Sequence, residues 1–225
     1  MVFLATTTEE GVVESTRRIA TTIASIFGLD DEIAEKMAGF DDRIAALAAA
    51  AEGKTAVVGM CTNGGFNVLG DDGRCSIIGR EIGFENLSNT VTSTDGSESR
   101  GSGEGRGQGG SGSGEGRGEG RGEGRGEGGG QGGGGTSTHG NEASFELIVS
   151  LAPDYIFVMD RDSAIGSEGA QLAQEIMENE LVMSTDAYKN GNLVILEHSN
   201  AWYTAEGGIT ALNQMLSDLE GAVLK

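Results

Sequence analysis

Several kinds of residue are scarce in this sequence, and each scarcity argues against a class of protein. One proline, two cysteines and two histidines occur in 225 residues. Because Cys61 and Cys75 show neither a C-x-x-C motif nor zinc-ligand spacing, we expect two small buried hydrophobic side chains rather than a disulfide. No apolar run is long enough to cross a bilayer. The apolar start at residues 2–5 has no basic flank and is too short for a signal peptide, so we expect no export signal in the chain as given.

The sequence motifs of common enzyme classes are also absent. The NGG at residues 63–65 follows an apolar run, but no G-x-G-x-x-G opens a helix there and no G-x-x-x-x-G-K-[ST] occurs, so a phosphate-binding loop is not indicated. A Ser/His/Asp hydrolase is equally unsupported, because His139 and His198 are the only histidines and no G-x-S-x-G motif is present. We therefore expect a protein that is not an enzyme.

Basic residues are few, with 15 Lys and Arg against 35 Asp and Glu and a formal net charge of -20. An acidic surface repels phosphate backbones and anionic lipids. The charge therefore argues against nucleic acid or a membrane surface as a partner. A net charge far from zero keeps a protein soluble, and this is a sufficient reason for the acidic surface.

Glycine is abundant, with 40 residues, and much of it lies in a tract over residues 96–135. This tract interleaves glycine with Glu and Arg and offers no apolar side chain to offset the entropy of ordering it. Its GEGR repeat fits neither collagen nor a solenoid and predicts a disordered linker, which we place at residues 92–137. The alternative is an RGG-like nucleic-acid tail, against which its glutamates and its lack of aromatic residues argue.

The apolar pattern outside this tract predicts alternating helices and strands. A helix over residues 9–27 ends at Gly28, and a second helix follows, with Asp30 or Asp31 as its N-cap and Gly53 after its last turn. Continuous apolar runs at residues 55–61 and 155–159 are typical of strands buried on both faces, and shorter strands are expected at 66–69 and 193–196. Further helices are expected at residues 77–82, 143–151, 171–177 and 209–223. This alternation predicts an α/β layer fold with a largely parallel sheet.

Four polar residues follow strands or lie in turns, where ligands are often bound: Arg74, His139, Arg161 and Tyr203. Ligands of open α/β sheets bind in the crevice beyond the carboxyl ends of the strands, and the pair Asp160-Arg161 directly follows the apolar run at 155–159. Position alone leaves open a surface ion pair for Arg161, a solvated ring for His139 and core packing for Tyr203.

A series of short motifs runs through the second half of the chain. They are THG (138–140), SFE (144–146), APDYIFV (152–158), DR (160–161), AIG (164–166), YKNG (188–191), WY (202–203) and GGITAL (207–212). In order and spacing this set resembles the carboxy-terminal lobe of siderophore-binding proteins of iron ABC importers, which are class III periplasmic binding proteins, and especially their catecholate and petrobactin binders. The resemblance covers nearly all of the chain outside the glycine-rich tract.

The resemblance implies a two-lobed parent protein that holds its siderophore between the lobes. This chain would carry a remnant strand of the missing amino-terminal lobe (1–5), the long inter-lobe helix (6–28) and a Rossmann-like three-layer α/β/α lobe in two parts (29–91 and 138–225). The implied partner is an ABC permease, and the implied location is extracytoplasmic, in the periplasm or anchored at the cell surface as in the lipoproteins of this family.

The same resemblance implies the roles of the four polar residues. Arg74 and Arg161 match cleft arginines, whose guanidinium groups would bind anionic catecholate oxygens. His139 and Tyr203 match side chains that complete the oxygen-rich coordination shell of ferric iron. No intrinsic cofactor is implied, since the ferric siderophore is the ligand. The alternatives are a non-binding remnant, a stand-alone interaction lobe, and a cobalamin- or haem-binding relative.

Overall fold

The computed structural model describes residues 10–71, 73, 75–92, 141–142, 145–169, 171–205 and 208–225. In these residues the strands are β1 (Thr55–Thr62), β2 (Gly65–Val68), β3 (Glu85–Asn86), β4 (Asn141–Glu142), β5 (Tyr155–Asp160) and β6 (Leu193–Ile195). The helices are α1 (Gly11–Phe27), α2 (Asp30–Ala51), α3 (Ile77–Arg80), α4 (Ser88–Thr92), α5 (Phe145–Leu151), α6 (Arg161–Ala164), α7 (Ala173–Met177), α8 (Glu180–Ser184), α9 (Asp186–Lys189), α10 (Ser199–Tyr203) and α11 (Ile209–Val223).

The strands form one sheet in the order β4-β2-β1-β5-β6, with β3 paired to β1. The pairs β1–β3, β1–β5 and β5–β6 are parallel, whereas β2 runs antiparallel to both β1 and β4. The prediction of a mainly parallel α/β sheet is therefore confirmed. The four predicted strands correspond to β1, β2, β5 and β6. The expected strand remnant at 1–5 and all but the first residue of the expected linker lie outside the described residues.

Helices cover both faces of this sheet, which gives the predicted three layers. Along β5, Phe157 and Met159 contribute to one buried cluster, while Ile156 and Val158 contribute to another. Because successive side chains of a strand point to opposite faces, both faces of β5 are buried. The first cluster includes side chains of α2 and α11, and the second includes side chains of α5 and α7.

The ends of the two long helices agree only in part with the sequence-based prediction. The prediction that Gly28 ends α1 is confirmed: this residue has φ 71° and donates its N–H to the carbonyl oxygen of Ala24, a geometry that glycine adopts without strain. The predicted N-cap of α2 was wrong. Leu29 occupies the cap position without a side-chain hydrogen bond, and Asp30 and Asp31 lie in the first turn. Carboxylates in a first turn stabilise a helix through its dipole, so they need not cap it.

The start of α1 is held by a single carboxylate from the end of α3. Oε1 of Glu81 accepts hydrogen bonds from the backbone N–H groups of Val12, at 3.0 Å, and Val13, at 3.4 Å. Its other oxygen, Oε2, is buried without a hydrogen bond from any described residue. Burial raises the pKa of the Glu81 carboxyl above its ordinary value of 4.5, although the two N–H groups and Arg80 offset part of the rise.

This raised pKa predicts a pH-dependent effect of Glu81→Gln on stability. The folded state binds the Glu81 proton more tightly than the unfolded state, so the stability that Glu81 contributes is full at pH values below 4.5 and is lost as pH rises through its folded pKa. We expect Glu81→Gln to be more stable than the parent at about pH 7 and this advantage to vanish towards about pH 4. Urea unfolding across this range measures it, and an advantage that grows on acidification would contradict the prediction.

Both cysteines are buried and neither forms a disulfide among the described residues, as predicted. Burial, followed by the charges of Asp160 and Asp162, raises the pKa of the Cys61 thiol to about 12. This thiol therefore behaves as a small apolar side chain rather than as a nucleophile. In the part of the chain that the structure describes, no helix combines the length and the apolar character needed to cross a membrane.

Candidate functional site

The candidate site lies at the edge of the sheet where β1 and β5 end. These strands are parallel and in register up to Cys61 and Asp160, so the residues that follow them emerge side by side. The crevice beyond the carboxyl ends of parallel strands is the usual ligand site of open α/β sheets. Thr62, the last residue of β1, thereby comes close to Arg161, the first residue of α6.

Arg161 and Tyr203 are in direct contact at this edge. Nε of Arg161 donates a hydrogen bond of 2.9 Å to the Tyr203 hydroxyl oxygen, and the guanidinium carbon lies 5.4 Å from the centre of the Tyr203 ring. The hydrogen bond to Tyr203 raises the pKa of Arg161; desolvation opposes this rise and the nearby Asp162 carboxylate adds to it. The guanidinium is therefore a permanent positive charge beside a phenol oxygen.

Asp162 fixes the position of this guanidinium. Its side chain is only 5% exposed and lies 3.2 Å from Nη1 of Arg161. It also accepts hydrogen bonds from the Asn63 backbone N–H, at 2.7 Å, and from the Thr62 hydroxyl, at 3.2 Å. Nη1 of Arg161 donates to the same Thr62 oxygen, at 3.1 Å. The ion pair considered for Arg161 from its position thus exists together with the Tyr203 contact and holds the guanidinium in place.

The described residues leave one nitrogen of the guanidinium without a hydrogen-bond partner. No described residue accepts a hydrogen bond from Nη2 of Arg161, and the side chain is 25% exposed. A partly exposed guanidinium that is held in place by a buried carboxylate is an arrangement suited to binding an anion.

Asp160, which was not predicted as a site residue, holds the starts of two helices at this edge of the sheet. Its Oδ1 accepts the backbone N–H of Ser163 and so caps α6, and its Oδ2 accepts the backbone N–H of Ala173 at the start of α7. The signal was present in the sequence, because an Asp that directly follows an apolar run is a typical N-cap residue.

A second missed residue, Asp218 of α11, supports the helix that carries Tyr203. Its Oδ2 accepts the Trp202 indole N–H at 2.8 Å and the His198 backbone N–H at 3.0 Å. Its Oδ1 lies 2.6 Å from Nδ1 of His198. An acidic residue three positions after Met215, on the apolar stripe of α11, was the signal that could have identified it.

The other two predicted site residues, Arg74 and His139, lie outside the described residues. The structure thus brings together Arg161 and Tyr203 and gives no placement for the other two. Within the described ranges, no group of three or more His, Cys, Asp or Glu side chains could hold a metal ion. The iron-binding roles of His139 and Tyr203 therefore stay predictions.

Comparison with known proteins agrees with this architecture. Residues 128–199 match the family model described as periplasmic binding protein. The petrobactin-binding protein YclQ of Bacillus subtilis is 37% identical over 89 residues, which are 40% of this chain and 27% of that protein. The ferric-anguibactin-binding protein FatB of Vibrio anguillarum is 32% identical over 84 residues, 37% of this chain and 25% of FatB.

Solved structures give longer matches. The crystal structure of YclQ from Bacillus subtilis aligns over 100% of this chain and 63% of its own, with a TM-score of 0.71 and 25% identity. The catecholate-siderophore binding protein VctP from Vibrio cholerae aligns over 97% of this chain and 63% of its own, with a TM-score of 0.69 and 24% identity. The chain thus spans less than two thirds of these structures and matches about a quarter of the curated relatives.

The sheet order and the covered faces match the class III periplasmic binding protein fold. Over residues 128–199 the chain is similar to the periplasmic binding protein family, and the proteins that it resembles include the siderophore-binding proteins just described.

Proposed function

We propose that this chain forms one wall of a cleft that binds a ferric siderophore of the catecholate type, as part of the substrate-binding component of an ABC importer. The observation that carries the proposal is the contact between Arg161 and Tyr203 at the carboxyl edge of the sheet. The names of the relatives, which include a petrobactin-binding protein and a catecholate-siderophore binding protein, support this class of ligand.

The chemistry of the two side chains suits such a ligand. Ferric iron is a hard cation that prefers oxygen donors, and a chelator with two catechol groups leaves two coordination positions for protein side chains. The Tyr203 oxygen would occupy one of them while still accepting the hydrogen bond from Nε of Arg161. Nη2 of Arg161 would then donate to a catecholate oxygen, and the guanidinium charge would offset the negative charge of the complex.

Arg74 and His139 complete the proposed site, as a second arginine for the ligand anion and as the remaining iron ligand. The opposite wall of the cleft would come from an amino-terminal lobe joined through α1. The loaded protein would deliver the siderophore to an ABC permease outside the cytoplasm. Residues 92–137 would serve as a linker between the two parts of the lobe.

A fluorescence titration tests the proposal directly. Trp202 is the one tryptophan of the sequence and adjoins Tyr203, so its emission reports on the site. We expect saturable quenching by ferric 2,3-dihydroxybenzoate, and no saturable quenching by iron-free 2,3-dihydroxybenzoate or by a ferric hydroxamate. A chain that is folded by circular dichroism but shows no saturable quenching by the ferric catecholate would contradict the proposal, and equal quenching by the hydroxamate would contradict the catecholate assignment.

A further inference from the structure

A buried carboxylate lies behind the candidate site without touching it. The Asp218 side chain is 2% exposed, whereas the ring of its partner His198 is 38% exposed. The carboxylate joins both ends of the short helix α10: it receives the backbone N–H of His198, which precedes the helix, and the indole N–H of Trp202, in its last turn. One side chain therefore fixes the whole of α10 against α11.

We infer that Asp218 is a positioning residue for ligand binding, which sets the place of the Tyr203 hydroxyl by fixing Trp202 and the start of α10. This inference rests on the proposed function, because Tyr203 is the ligand-binding group in that proposal. Among the described residues, Asp218 forms hydrogen bonds with His198 and Trp202 and with neither Tyr203 nor Arg161.

The helix α10 is too short to set its own orientation. The helix has five residues, and its N-cap, His198, makes no capping hydrogen bond with its side chain. A helix of this length is not stable by itself, because the nucleus costs more free energy than one turn recovers. Its orientation must therefore come from tertiary contacts, and those to Asp218 hold it at both ends.

The position of Trp202 on α10 sets the direction of its neighbour Tyr203. Trp202 and Tyr203 are adjacent on α10, so their side chains are about 100° apart around its axis. Because Trp202 is 2% exposed and its indole N–H is held at 2.8 Å, the direction of Tyr203 is set as well. The bond from Arg161 to the Tyr203 oxygen is 2.9 Å long, and a shift of about 1 Å would remove it.

Burying the Asp218 carboxylate costs free energy. Burying a carboxylate is unfavourable unless its oxygens are hydrogen-bonded, and a residue needed only for packing would be apolar. Both oxygens of Asp218 are satisfied by α10 and by the residue that precedes it. The three hydrogen bonds specify one orientation of α10, which an apolar side chain would not do.

The test compares two amide substitutions on α11 in the full chain. Asp218→Asn removes the charge that binds α10, whereas the control Glu220→Gln weakens the double contact of Glu220 with Arg43 of α2, at 2.6 and 2.7 Å, and leaves α10 untouched. Two readouts are taken: the Nε–H resonance of Arg161, assigned with Arg161→Lys, and the affinity for ferric 2,3-dihydroxybenzoate by calorimetry.

For Asp218→Asn we expect a shifted Arg161 Nε–H resonance without ligand and binding weakened by about 10- to 100-fold, the usual effect of losing a group that orients a metal ligand. Glu220→Gln should leave the Arg161 resonance and the affinity as in the parent. This should hold even if Glu220→Gln lowers the unfolding midpoint as much as Asp218→Asn does. If Asp218→Asn does not fold, Trp202→Phe, which removes the indole N–H donor to Asp218 together with part of the ring, makes the same test.

The inference is overturned if Asp218→Asn leaves the Arg161 resonance and the affinity unchanged, or if Glu220→Gln reduces binding equally. If the parent chain does not bind the ferric complex, the proposed function fails. The Arg161 resonance in the ligand-free variants still decides whether Asp218 positions Tyr203.

Discussion

Replacing Tyr203 by Phe should weaken the binding of ferric 2,3-dihydroxybenzoate at least about tenfold. The substitution removes the oxygen that is proposed to coordinate iron and that accepts the hydrogen bond from Arg161. The loss of a group that acts on a metal typically weakens affinity by about 10- to 100-fold. Stability should fall by only about 1 kcal/mol, because the hydroxyl is on a half-buried side chain. Isothermal titration calorimetry and urea unfolding measure the two effects.

Tyr188→Phe is the matched control for this substitution. Tyr188 packs against the other buried cluster, on the side of the sheet that carries α5 and α7, so its hydroxyl should not affect the ligand. The combined change of Tyr203 to Phe and His139 to Ala should abolish measurable binding. Unchanged affinity in that double variant would rule out the assigned iron ligands.

Two glycine-to-alanine substitutions should change stability in opposite directions. At Gly59 of β1, an added methyl group would overlap the Phe66 ring and lie 2.7 Å from the backbone oxygen of Asn67. That oxygen belongs to the paired strand β2 and cannot retreat without disturbing the β1–β2 pairing. We expect Gly59→Ala to cost about 1–3 kcal/mol, the usual range for overpacking.

Gly39 is the matched position without such a neighbour. It lies in the exposed interior of α2, and nothing stands within 4 Å of an added methyl group. Gly39→Ala should stabilise the protein by about 0.5–1 kcal/mol, because alanine loses less backbone entropy in a helix. Urea unfolding followed by far-ultraviolet circular dichroism compares the two variants. If Gly59→Ala were as stable as Gly39→Ala, the assigned packing of β1 on β2 would be contradicted.

Long periodic segments were predicted well because their signals are local. The apolar runs that became β1 and β5 are buried along nearly their whole length, and Gly28 ends α1 as its type requires. Short helices such as α6, α8 and α10 were not predicted, because four or five residues carry no measurable period. Their positions come from packing and from caps such as Asp160.

The candidate site shows the same division. Arg161 was found because it directly follows an apolar strand, a position where ligands are bound. That Tyr203 belongs to the same candidate site came only from the family resemblance, and its contact with Arg161 came only from the structure. Asp218 was missed although it lies on the apolar stripe of α11, because its partners His198 and Trp202 are 20 and 16 positions away.

By itself, the sequence determined the alternation of helices and buried strands, the mainly parallel sheet and the presence of Arg161 at the carboxyl edge of that sheet. These features follow from apolar periodicity and from the types of neighbouring residues. Only the tertiary structure decided that Arg161 meets Tyr203 and that Asp218 holds α10, because these contacts join residues 42, 16 and 20 positions apart. Such contacts form only when the sheet brings its strand ends together and α11 packs beside α10.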